Sequence, residues 1–430
     1  MRARYIQNWF KDMFGIFVHE LRTIFHDGGV LIIFFVGGLG YPLLYSLIYH
    51  NGVLENTPVA VVDMADCADS RRYIRELDAT REVDVTCRCV TMEEAQKLLQ
   101  QRQVNGIVYF PEDFGDKIAR CETATLSIYA DMSSFLYYKN LLMGANFVML
   151  HEIGSLQVER YQASGMTLQE ARQLSKPIPY EENNPYNNAF SYMIFFLSAA
   201  LMLVVQQTMF YGMSMIAGTM REENRSFASL PDSLSGRGVG RVVWGRALSY
   251  GLLYFAIAMY VAFIVPAIGG LPQRGSYWDI LVMLSIFVLD CVFFSMTWST
   301  LITRRETVFI LLLFISPMAM FLTGFSWPET AFPSFWKYFS YLFPTTFGSK
   351  AFINLNTAGG DLGTVRELLL AMIVQTGVYC ALAHVAVYIE NWIINHREQI
   401  RARRMEARKR MLERNSSLDR ILKEIDSPIA

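Results

Sequence analysis

The chain has 430 residues, of which 53% are hydrophobic and 18% charged, well under the roughly one quarter charged in ordinary globular domains. Basic residues number 38 and acidic ones 39, a net charge of −1, so bulk electrostatics give no reason to expect a nucleic-acid partner. The length allows two or three ordinary domains, and the apolar excess suits a chain made for lipid. At the start, Ile6, Trp9, Phe10, Met13, Phe14, Phe17, Leu21, Ile24 and Phe25 recur at spacings of three and four, with Arg4, Lys11, Asp12 and Arg22 on other faces. Residues 1–27 therefore read as an amphipathic elbow helix lying along the membrane surface, its aromatic stripe among the headgroups. The alternative is a soluble amphipathic helix packed on another domain. The apolar run that follows at once favours the interfacial reading.

A helix crossing the hydrocarbon needs about 20 apolar residues. Six runs qualify: Gly28 to Tyr49, Ala189 to Met215, Ala247 to Ile268, Ile280 to Ile302, Thr307 to Phe325, and Leu368 to Ile389. The first, within residues 28–50, is too long for a signal peptide and no small-residue cleavage site follows it, so it reads as an uncleaved anchor. The other five fall within residues 189–390. Five runs contain no Asp, Glu, Lys or Arg, and the fourth contains only Asp290. Such a group is costly in a span and faces either a bundle interior or water. It is a candidate for the translocation pathway, and a structural hydrogen-bonding role between helices is the alternative.

Basic residues set the orientation. Arg2, Arg4, Lys11 and Arg22 precede the first run, and Arg221, Arg225, Arg237, Arg241 and Arg246 follow the second. Arg304 and Arg305 follow the fourth, and a tail over residues 391–430 carries eight more arginines and lysines between Arg397 and Arg414. With six spans all four regions lie on one side, the cytoplasm, and both termini are inside. Residues 51–188 are then outside.

That outside segment alternates strand-like and helix-like stretches. Val59 to Asp63, Glu82 to Val90, Val104 to Phe110 and Thr125 to Ala130 read as strands, with helices over Asp69 to Leu77, from Thr91 to Gln101 behind a Thr91/Glu94 capping box, and after Pro111. The order β-α-β-α-β-α-β suggests a small α/β domain. A long helix over Ser134 to Ala163 then serves as a stalk, followed by a short one capped by Thr167 and Glu170. Four cysteines lie in this segment: Cys67, Cys87, Cys89 and Cys121. Cys87 and Cys89 would have Cα atoms about 6.6 Å apart on one strand, near the limit for a bridge, and the pairing stays open.

The chemistry of an enzyme is missing. Gly-Lys never occurs, so there is no phosphate-cradling P-loop. His151-Glu152 begins an H-E-x-x-H pattern, but Ser155 stands where the second histidine belongs. Gly236, Gly238 and Gly240 sit in an inter-span loop and read as a connector.

Three features resemble the type-2 ABC exporter permeases. One is Gly218-Thr219-Met220-Arg221-Glu222-Glu223, similar to the family's glycine-threonine-acidic segment, except that Ile216-Ala217 stand where the family usually has an acidic residue. Another is Thr323-Gly324-Phe325-Ser326-Trp327-Pro328, followed by Phe332-Pro333-Ser334-Phe335-Trp336 and Leu342-Phe343-Pro344-Thr345-Thr346. It is similar to the family's stretch of short re-entrant helices on the outer side, here residues 326–350, with Gly324, Phe325, Pro328, Pro333 and Pro344 as its marker residues. The third is the layout of elbow, first span, large outside domain and five further spans, as in the drug-exporter-like branch. The resemblance implies a permease without catalytic residues, metal or cofactor of its own, with ATP bound on separate ABC ATPase subunits. Those subunits would dock on the cytoplasmic coupling loop 216–246 through Gly218, Thr219, Arg221, Glu222, Glu223 and Arg225. It further implies a second permease, identical or paralogous, an inner-membrane location in the lipid bilayer, and a periplasmic adaptor as a further partner. The competing reading is a membrane-anchored sensor acting through its outside domain; a simple anchor has no need of the proline-rich segment. The basic tail would either hold anionic headgroups or extend the last span into solvent.

Overall fold

A computed structural model of the chain describes residues 2–49, 52–176, 185–187, 191–223, 238–395 and 411. It has two units, Met1–His50 with Ser191–Ala430, and Asn51–Phe190. The first opens with α1 (Arg2–His26) and α2 (Gly28–Ile48).

The inserted unit carries β1 (Thr57–Asp63), α3 (Ala68–Asp78), β2 (Val83–Cys89), α4 (Met92–Gln100), β3 (Gly106–Phe110), α5 (Phe114–Ala119), β4 (Ser127–Ala130), α6 (Phe135–Ala163) and α7 (Leu168–Ser175). The sheet order is β2-β1-β3-β4, with β1 parallel to β2 and β3, and β4 antiparallel to β3. Central β1 is buried on both faces, which is why it reads as an unbroken apolar run. Val59 and Val61 pack with Tyr73, Ile74 and Leu77 of α3 and Leu141, Ala145 and Val148 of α6. Ala60 and Val62 pack on the other face with Ala95 of α4. Thr91 caps α4 by accepting from the Glu94 amide at 3.3 Å, and Thr167 and Glu170 cap α7 reciprocally. All six cysteines are free thiols, so no disulfide braces this unit.

The membrane unit continues with α8 (Tyr192–Glu222), α9 (Val239–Gly269), α10 (Tyr277–Ser299), α11 (Thr307–Leu322), α12 (Ser334–Ser340), α13 (Pro344–Phe352) and α14 (Arg366–Asn395). Among the described residues, five helices are long and apolar enough to cross a membrane: α2, α8, α9, α10 and α14. The apolar run expected to reach Phe325 forms instead the 16-residue α11, with Pro317 inside it. At about 1.5 Å per residue, such a helix is shorter than the ~30 Å of hydrocarbon. Helix α8 is the centre of the bundle, with 78% of its apolar window buried against 22% for α2. Phe34, in a stretch of α2 with wider π-type turns, meets Tyr254 edge-on at 4.9 Å.

Helix α1 is sewn to α9. Its inward ladder is Asp12, Ile16, Glu20 and Ile24, one residue per turn, while Phe10, Phe14 and Phe25 stay exposed. Asp12 accepts from Arg241 at 2.5 Å, and Glu20 accepts from the Arg246 guanidinium, which is 2% exposed. Ser249 adds a hydrogen bond to the Phe17 carbonyl at 3.1 Å. The stripe that turns inward is therefore half acidic, because two arginines of α9 are buried and need carboxylates. The aromatic residues left outside suit an interface with lipid.

Candidate functional site

The segment from Gly218 to Glu223 forms the last turns of α8 and meets four other helix ends. A Cβ on Gly218 would lie 2.7 Å from the Arg305 backbone nitrogen, so only glycine permits this approach. At the next residue, the Thr219 hydroxyl donates to the Met215 carbonyl at 3.0 Å and accepts from the Arg305 guanidinium at 2.9 Å. Arg221 donates to Glu390 near the end of α14, at 3.2 and 3.1 Å. It also donates to the carbonyls of Ser299, at 3.3 Å, and Ile302. The Ser299 carbonyl ends α10, where the helix dipole attracts a cation, and Ile302 lies in the turn that follows. Glu222 does the converse, accepting from the Arg305 amide at 2.9 Å just ahead of α11.

Arg305 extends the clasp to α2. Its two terminal nitrogens reach both Asp27 carboxylate oxygens at 2.6 Å, a fork matched to a carboxylate. Asp27 also caps α2 by accepting from the amides of Gly29 and Val30 at 3.0 and 3.2 Å. Burial alone would raise the Asp27 carboxyl. The Arg305 and amide hydrogen bonds outweigh it and hold the group below its usual range. The clasp side chains remain partly accessible, at 12% for Glu390, 17% for Arg221 and 29% for Arg305. Arg221 and Glu222, expected as contacts to another subunit, thus have partners within their own chain. Glu223 is exposed at the helix end, and Arg225 lies outside the described residues.

At the opposite end of the bundle, the proline-rich segment folds back into it. Gly324 turns the chain at φ +84°, beside half-buried Phe325. Pro328 precedes the short turn Glu329–Ala331, Pro333 precedes α12, and buried Pro344 opens α13. Between α12 and α13 the Phe343 ring sits 6.1 Å from Phe294 of α10. The backbone freed by these breaks is satisfied by protein: Gln206 accepts from the Thr345 amide at 2.7 Å, and Gln375 and Tyr379 donate to the Tyr341 and Leu342 carbonyls. Glu329 accepts from Tyr341 at 2.7 Å and pairs with Lys350, tying the turn to α13.

Residues 29–385 match the profile of the ABC-2 family transporter proteins. The chain belongs to the ABC-2 transporter family. No curated protein matches it. As an ABC-2 protein it is a multi-pass transmembrane subunit of an ABC transporter; the matched stretch takes in the folded-back segment and the clasp residues Gly218 to Glu223 and Arg305, while Asp27 and Glu390 lie just outside it. Asp290 of this ABC-2 subunit is fully buried on α10, and neither carboxylate oxygen finds a hydrogen-bond donor among the described residues. Also among the described residues, no group of three or more His, Cys, Asp or Glu is placed to hold a metal ion. Asp27, Glu390 and Arg305 were not singled out from sequence as members of the site. Asp27 and Glu390 each sit as a lone acid at the edge of an apolar run, and Arg305 lies in the charged turn Arg304-Arg305-Glu306 between two runs.

Proposed function

We propose that this ABC-2 subunit is the permease of an exporter, moving its substrate out of the cytoplasm or the inner leaflet under power from separate ATPase subunits. The observation that carries the reading is the clasp. Five helix ends meet at the basic end of the bundle, held by charges that remain 12–29% exposed. A subunit that moves Glu223, the 224–237 stretch or the end of α8 would shift α2, α10, α11 and α14 together. Six spans, with α11 as a short fifth one, put both termini and the clasp in the cytoplasm and the inserted α/β unit outside, as the arginine distribution favours. Pairing with a second permease, residence in an inner membrane and engagement of a periplasmic adaptor by the inserted unit complete the proposal.

Reconstitution with the ATPase tests it. Reversing Glu222 and Glu223 to lysine should leave the permease folded and uncouple ATP hydrolysis from transport; unchanged coupling rejects the docking role. Asp290 is proposed to serve the pathway, since an unsatisfied buried carboxyl is kept against a cost. Asp290→Asn should impair transport at equal abundance, and normal transport removes that role.

A further inference from the structure

Beside the clasp, where α1 ends and α2 begins, an open cleft of about 650 Å³ is lined by His19, Arg22, Thr23, His26, Asp27 and Arg305, with Gly28 and Gly29. Its charge is lopsided. Asp27 is the single acid of the lining, and both its oxygens are taken by Arg305. Arg22 is exposed and its guanidinium has no ion pair among the described residues. The His26 ring donates from Nδ1 to the Arg22 carbonyl at 2.9 Å, which leaves Nε2 for another partner. Two imidazoles and one uncommitted guanidinium therefore surround a space with no free carboxylate.

The surroundings are apolar. Phe25, exposed at the end of α1, lies 6.1 Å from Phe35 of α2, and Ile32 and Val36 continue the exposed surface up α2. A notch with one unpaired guanidinium and two imidazoles at the foot of an apolar helix face matches a ligand with a negative head and a hydrocarbon body.

We propose that this cleft binds the phosphate of an anionic membrane phospholipid, whose acyl chains lie along the exposed face of α2. A free phosphate would use the same hydrogen-bond donors and ignore the apolar face. The site does not depend on which substrate the permease moves.

The test is lipid retention by the purified full-length chain in detergent, read by native mass spectrometry with phosphatidylglycerol, phosphatidylcholine and inorganic phosphate as probes. Wild type should retain phosphatidylglycerol about tenfold over phosphatidylcholine, and millimolar phosphate should not displace it. Arg22→Gln should lower retention about fivefold, near the effect of one basic residue at an anionic surface. Arg22→Gln with His26→Gln should lower it further, while Arg22→Lys should keep most of it. A photoactivatable phosphatidylglycerol should label residues 19–36 of wild type, a readout that needs no variant to fold. Equal retention of the two lipids, displacement by phosphate, labelling confined elsewhere, or an Arg22→Gln chain that folds and retains as before would each overturn the proposal.

Discussion

Two sets of ion pairs hold the membrane unit together, and they differ in how far water reaches them. Between α1 and α9, Arg246 and Glu20 are 2% and 1% exposed, sealed among Ile16, Ile24 and Tyr250. At the clasp, Arg221 and Arg305 keep 17% and 29% of their side chains accessible, and each bridges several helix ends. A sealed pair cannot open without leaving charge in a dry interior, so it acts as a rivet. A partly accessible pair leaves less charge in a dry interior when it opens, so exchanging its partner for water or for another protein costs less than opening the sealed pair. In the proposed exporter, the elbow would then be the fixed part of the basic end and the clasp the part that moves.

Substitutions can break this contrast. The largest effect is expected at Glu20→Ala, which takes a buried carboxylate away from the buried Arg246 guanidinium and should destabilise the chain by about 3–5 kcal/mol. Thermal unfolding in detergent reads it, and a Glu20→Met, Arg246→Met pair should recover most of the loss. Gly218→Val comes next. It drives a side chain into the Arg305 backbone, and overpacking of that kind costs about 1–3 kcal/mol. Here coupling of ATP hydrolysis to transport should fall along with stability. Glu390→Gln should cost only about 1 kcal/mol, since the pair is partly solvated, yet reduce coupling more than Glu20→Ala does per unit of stability lost. The reverse ranking would mean that the elbow, and not the clasp, transmits the motion.

A pH series gives the smallest effect. The Asp27 carboxyl is held below its unfolded value, so its contribution is complete above the ordinary carboxylate range and is lost as pH falls through the folded value. Labelling of a Gly28→Cys thiol should therefore speed up in acid, after correction for thiol ionisation. In the inserted unit the sign is opposite: burial, then neighbouring Glu152, raises the Glu76 carboxyl. Glu76→Gln should thus be neutral or stabilising near neutral pH, with the gain vanishing as pH falls below the range where the raised Glu76 carboxyl ionises. Hydrogen exchange of α3 checks it.

The inserted unit was legible in the sequence because each strand and cap is written locally. The Val59–Asp63 run, the Glu82–Val90 alternation and the Thr167/Glu170 spacing each name their own element. The bundle was legible in its apolar runs and opaque in its cross-links. Arg241 and Arg246 look like ordinary basic flanks, and their partners Asp12 and Glu20 lie more than 200 positions earlier. Likewise Arg221 carries no mark that Glu390 will receive it. The length of α11 was misjudged because hydropathy runs on through Thr323-Gly324-Phe325, and the left-handed Gly324 that breaks the helix adds little to that signal.

The most direct test of the central claim is to isolate the full-length chain from its native membrane in mild detergent and assay the complex for ATP hydrolysis. The account predicts a stable complex containing an ATP-hydrolysing subunit, whose activity remains but no longer responds to substrate when Glu222 and Glu223 are reversed to lysine. A chain that is recovered intact, with no ATP-hydrolysing subunit under any condition that keeps it folded, would contradict it.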